Sequence, residues 1–127
     1  EVPKKHLHGK ILIVEDNKTN QMFLKMFLDD LELDYEVAAD GIEAIDAVNN
    51  AYFDLILMDE NMPNLNGTEA TKIIRTLEHT KEIPIIAVTA NALKGDKERF
   101  IASGMNDYVS KPIDFDELTS ILTKYLS

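Results

Sequence analysis

Asp59 ends the apolar run Leu55-Ile56-Leu57-Met58 and is followed at once by Glu60-Asn61-Met62-Pro63, with Gly67 just beyond. A carboxylate at the mouth of a buried strand is placed to react or to bind. A second apolar run, Lys10-Ile11-Leu12-Ile13-Val14, also ends in acid, at Glu15-Asp16. In an open parallel α/β sheet the carboxyl ends of both strands face one crevice, so three or four acids would share a small space. Their charges repel unless a hard cation sits among them. Magnesium, which takes few protein oxygens and keeps several waters, suits such a cluster. Chemistry on phosphate is therefore the first expectation.

Strand-like runs at residues 11–14, 35–38, 55–58, 85–88 and 108–109 alternate with helical patterns that begin near Asn17, Asp40, Gly67, Asn91 and Asp114. This is an α/β pattern of five βα units, which predicts a parallel sheet with helices on both faces, because right-handed crossovers place them there. Gly104 reads as a helix stop, and Pro84 opens the fourth strand where no ladder donor is lost. Asp54 enters the third strand five residues before Asp59, roughly 16 Å away, and reads as a solvated strand start. Asn17 reads as the cap of the first helix, with Asn20 facing inward. At 100° per residue, Phe23, Phe27, Leu31, Leu24 and Leu28 fill one face of that helix. Met22 and Met26 fall on the other face, exposed beside Lys18, Lys25 and Asp29.

Composition removes several function classes. The 127 residues make one domain, large enough to bury roughly two-thirds of the unfolded surface. Residues 10–127 form it, and 1–9 read as a linker or a cut end. With no cysteine, disulfides, thiol chemistry and thiolate metal sites are absent, and a reducing cytoplasm is the natural setting. No apolar stretch approaches the roughly 20 residues of a membrane span, so no membrane insertion by this segment is expected. Acids outnumber bases 23 to 13, a net charge of −10, which argues against direct nucleic-acid contact. His6 and His8, without a third ligand near them, read as incidental.

Glu15-Asp16 after the first strand, Asp59 after the third, Thr89-Ala90 after the fourth and Lys111-Pro112 after the fifth together resemble the receiver domain of two-component response regulators. The resemblance covers essentially Lys10 to Leu126, and the wording around Val14-Glu15-Asp16-Asn17 and Thr89-Ala90-Asn91-Ala92 is similar to receivers of hybrid sensor kinases. It implies the flavodoxin-like strand order 2-1-3-4-5, which periodicity alone does not supply. It also implies that Asp59 is a phosphoacceptor taking its group from a phosphohistidine of a histidine kinase or histidine phosphotransfer domain. Magnesium, or manganese in its place, would then be held by the side chains of Asp16 and Asp59 and the main-chain oxygen of Asn61, with Glu15 reaching it through water. Lys111, Thr89 and Ala90 would bind the phosphoryl oxygens. Thr89 and Tyr108 would form the switch pair, and a cis bond before Pro112 would aim Lys111 inward.

Such a domain is a signalling phosphoacceptor and not a turnover enzyme, with magnesium-dependent self-phosphorylation from small donors and slow loss of the phosphoryl group, which Asn61 and Asn91 would tune. Glu15 departs from the commoner Asp. The resting Lys111 would pair with Asp59 or Asp16. Met22 and Met26 would form the partner surface, since in the family the first helix meets the histidine-bearing bundle. A domain without an effector segment after Ser127 would signal by protein contact or be part of a larger polypeptide, such as the cytoplasmic portion of a membrane-bound sensor kinase. Three rival readings fit these residues less well. A flavodoxin-type flavin binder needs hydroxyls and amides where Glu15 and Asp16 stand. A haloacid-class phosphohydrolase needs a second carboxylate where Asn61 stands. A pseudo-receiver would have lost an acid, the nucleophile or the lysine.

Overall fold

The structure, a computed structural model, describes residues 7–62, 65–90 and 94–126. Strands β1 (Lys10–Val14), β2 (Asp34–Ala38), β3 (Leu55–Asp59), β4 (Ile85–Thr89) and β5 (Asp107–Ser110) alternate with helices α1 (Lys18–Asp30), α2 (Gly41–Asn50), α3 (Gly67–Ile74), α4 (Lys94–Ser103) and α5 (Phe115–Leu126). A short 3-10 turn at Glu78–Thr80, which periodicity does not announce, precedes β4. The strands form one sheet in the order β2-β1-β3-β4-β5, with every pairing parallel. His6 and Asn91 lie outside the described residues.

Period-two alternation divides the core into two layers. Leu12, Val14, Ile56, Met58 and Ala87 face Ala44 and Val48 of α2, Ala70 and Ile74 of α3, and Phe100 of α4. Ile11, Ile13, Leu55, Leu57, Ile86 and Val88 face Leu24 and Leu28 of α1 and Leu118, Ile121 and Leu122 of α5. Every residue of β3 and β4 is therefore buried, whereas β2, at the edge, exposes Asp34 and Glu36. Charged side chains at an open strand edge discourage pairing with another chain. Leu7, ahead of β1, joins the second layer.

Caps set where α1, α2 and α3 start, and so how the strand ends before them are spaced. The Asn17 side chain accepts from the Asn20 N–H at 3.0 Å, and Asp40 from the Glu43 N–H at 2.8 Å. Asn66 and Glu69 form a reciprocal capping box at α3. At the far end of α4, Gly104 takes φ +109°, a left-handed value that only glycine adopts without strain.

Two expectations need correction. Asp54 is not merely solvated: it is half-buried and its Oδ2 accepts from the Lys10 N–H at 2.8 Å, tying the start of β1 to the start of β3. Phe23 is not on the packed face of α1, where Leu24 and Leu28 are buried and Phe27 and Leu31 partly so; it is 50% exposed. The first turns of α1 run beyond the sheet's carboxyl edge. Phe23 there borders a cavity lined by Asn20, Lys111, Pro112, Ile113 and Phe115 instead of a strand.

Candidate functional site

The carboxyl ends of β1, β3, β4 and β5 converge as the alternating pattern requires. Asp59 is the last residue of β3 and is 1% exposed; Glu15, immediately after β1, is equally buried, and Asp16 beside it is exposed. Carboxylate oxygens of Glu15, Asp16 and Asp59 lie within 4.8 Å of one another. Lys111, just past β5, places Nζ 3.2 Å from Asp59 Oδ1 and 3.1 Å from Glu15 Oε1. The resting partners of Lys111 are thus Asp59 and Glu15, and not Asp16. Asp16 faces solvent, where the ammonium gains least.

Main-chain groups frame these side chains. The Asn61 N–H donates to Asp59 Oδ1 at 3.2 Å, and the Asn17 N–H donates to Glu15 Oε2 at 3.1 Å. The Gln21 side chain donates to the Glu15 carbonyl at 2.6 Å, so the first turns of α1 fix the loop after β1. Thr89, buried, ends β4, and its carbonyl accepts from the Lys111 N–H at 2.7 Å. Ala90 beside it is exposed. The Lys111–Pro112 bond is cis. Tyr108 lies in register with Ala87, two residues before Thr89, half-buried against the first core layer with Lys97 Nζ 5.8 Å from its ring centre. Met22 and Met26, 50% and 61% exposed, stand outside the crevice on the open face of α1.

The electrostatics follow from the crowding. Burial, then the charge of Glu15 and its hydrogen bond, push the Asp59 carboxyl up to about 7, against the pull of Lys111. For Lys111, burial lowers the pKa, but Asp59 and Glu15 together outweigh it and the net direction is up. A carboxylate held that high is short of positive charge. The donor set is all oxygen, closely gathered and one cation richer only in Lys111, so it fits a hard divalent ion.

Sequence reasoning attached no role to two features here. Glu60, next to the nucleophile candidate, is buried and paired with Arg99 at 3.2 Å. Phe23 and Phe115 open an apolar cavity beside Lys111. Neither had a local signal, since the partners are 39 and 92 residues apart in the chain.

A doubly wound sheet with an acidic crevice at its strand ends and a lysine reaching into it defines a phosphate-handling α/β domain. The family model described as the response regulator receiver domain matches residues 11–123. The chain is 43% identical over 128 residues to hybrid signal transduction histidine kinase I of Dictyostelium discoideum, covering 92% of this chain and 7% of that protein. It is 37% identical over 115 residues to the signal transduction histidine-protein kinase BarA of Escherichia coli, covering 91% of this chain and 12% of that protein. Among solved structures, the receiver domain of the sensor histidine kinase PA1611 of Pseudomonas aeruginosa, with a magnesium ion coordinated in its active-site cleft, superposes with TM-score 0.87. It is 43% identical, with 94% of this chain and 98% of that one covered. The Ssk1 receiver domain, crystallised with the histidine phosphotransfer protein Ypd1 of Saccharomyces cerevisiae, superposes with TM-score 0.89 at 33% identity over 97% of this chain and 92% of that one.

This chain belongs to the response regulator receiver family of two-component signalling, and it spans only a small part of the curated kinases it resembles. Membership removes the flavin-binder and haloacid-hydrolase readings. Among the described residues no helix is long and apolar enough to cross a membrane.

Proposed function

We propose that Asp59 is the phosphoacceptor of a phosphorelay, taking its phosphoryl group from a phosphohistidine on a histidine kinase or histidine phosphotransfer domain. The observation that carries this is the gathering of Asp59, Glu15 and Asp16 within 4.8 Å with Lys111 3.2 Å from Asp59. An Asp59 oxygen attacks phosphorus in line as the P–N bond breaks; its electron pair returns to the imidazole nitrogen, which takes a proton from water. Ionised Asp59 needs no general base. Lys111 and the Thr89 hydroxyl, with Ala90 beside it, meet the phosphoryl oxygens.

Asp16, Asp59 and the main-chain oxygen of Asn61 would hold magnesium, with Glu15 reaching it through water, and manganese fits the same oxygens. That ion would neutralise charge building on the transferred group. Thr89 drawn to the phosphoryl group would turn Tyr108 inward, a population shift driven by contacts that exist only in the phosphorylated state. Met22 and Met26, joined by the exposed Phe23 and Phe115, form the surface for the histidine-bearing helices. Residues 10–127 would serve as the receiver of a hybrid sensor kinase in the cytoplasm.

The test is intact mass after incubation with magnesium and a small acyl phosphate, beside Asp59→Asn. Gain of one phosphoryl group in the wild type alone is expected. No gain in a folded, metal-binding protein, from either the acyl phosphate or a phosphohistidine partner, would return the pseudo-receiver.

A further inference from the structure

Glu60 follows Asp59, and strand alternation sends its side chain into the opposite layer, toward α3 and α4. It is 4% exposed. Its Oε1 accepts from Thr68 Oγ1 and from Arg99 Nη1, each at 3.2 Å, while buried Oε2 has no hydrogen-bond partner among the described residues. Burial pushes its carboxyl pKa up, with Arg99 and Thr68 acting against the rise. A buried acid met on one oxygen only is costly where an apolar residue would pack without penalty. Arg99 lies on α4, a strongly polar helix whose buried side chains among the described residues are Phe100 and Ser103.

The Glu60 peptide is also the frame of the acidic crevice. Its N–H donates to the Val88 carbonyl at 3.1 Å, its carbonyl accepts from Gly67 at 3.2 Å, and the next N–H, of Asn61, reaches Asp59. One short segment therefore holds α4 through its side chain and the crevice through its main chain.

We propose that Glu60 and Arg99 are a positioning pair that ties α4 to the peptide carrying Asp59 and Asn61, so that α4 placement and divalent-cation affinity at the crevice are coupled. The proposal rests on the reading of that crevice as a cation and phosphoryl site and adds how a helix outside it takes part. Coupling of this kind is reciprocal: metal in the crevice alters α4, and loosening α4 alters metal affinity.

The experiment compares wild type with Glu60→Gln, Arg99→Gln, the double variant and Arg99→Lys, measuring magnesium affinity by calorimetry and amide exchange over residues 95–103 with and without metal. Each Gln variant is expected to change the magnesium Kd by at least about fivefold and to abolish the effect of metal on α4 exchange. The double variant, in which no buried charge is stranded, should change Kd no more than the larger single. Arg99→Lys, which keeps the charge and the one contact to Glu60 while giving up the Nη2 contact to Asp96 on the same helix, should stay near wild type. Variants that only melt at lower temperature, with Kd and the α4 response unchanged, overturn the pair alone. Wild type that binds no magnesium overturns the crevice reading and the pair with it.

Discussion

Asp59 stands where burial and the charge of a neighbouring acid act on one carboxyl. In metal-free protein its carboxyl is held at about 7 against an ordinary value of 3.8, so the native state keeps a proton that the unfolded chain releases. The unfolded state then binds fewer protons across that interval, and the stability Asp59 contributes falls as pH rises through it. Asp59→Asn carries no charge to lose. Its melting temperature relative to wild type should therefore improve between about pH 4 and about pH 7 without metal, and a gap that stays flat would contradict the raised value. Metal affinity should fall below about pH 7, because ligands must shed protons to bind, and calorimetry in two buffers would read the proton release. Lys111 touches both buried acids. Lys111→Met should slow phosphoryl uptake from acyl phosphate by about 10²- to 10³-fold, the scale for losing one charged donor at a developing anion. The positions of Asp59, Asp16 and Lys111 at the sheet's carboxyl edge were legible because each ends or follows an apolar strand. That Lys111 pairs with Glu15 was not, since it depends on how far two loops lean toward each other.

At the scale of elements, the first helix shows what periodicity can and cannot do. It separated Met22 and Met26 from Leu24 and Leu28 correctly, but it placed Phe23 with the packed residues, because a helical wheel does not say where the sheet beneath the helix stops. Replacing Met22 and Met26 with Lys should slow transfer from a phosphohistidine partner by about tenfold while leaving the acyl phosphate rate alone, as expected for contact residues remote from the chemistry. Equal partner rates would remove α1 as the docking face. The start of α3 is set by a glycine: a Cβ at Gly67 would lie 2.6 Å from the Asp59 carbonyl oxygen. Gly67→Ala must push the end of β3 aside. A loss of about 1–3 kcal/mol in denaturant unfolding is expected, with weaker magnesium binding beside it.

Across the whole molecule, like charges define its behaviour. The chain carries −10, and its crevice concentrates three acids against one lysine. Cation binding to the native state alone should stabilise by about 2.7 kcal/mol at a hundredfold excess over Kd. Thermal melts with and without magnesium would show this rise, and Asp59→Asn should lose most of it. A melt indifferent to magnesium would leave the crevice without its cation.

By itself the sequence determined the alternation of strands and helices, the two-layer burial and the candidate acids. These follow from local periodicity and from which residue types end each apolar run. The neighbours of those acids were decided by tertiary structure: Glu15 with Lys111 across the sheet end, Glu60 with Arg99 between layers, Asp54 on the first strand's N–H, and Phe23 over a cavity. Each depends on the distance between segments far apart in the chain, which sheet closure and helix packing set and no local pattern encodes.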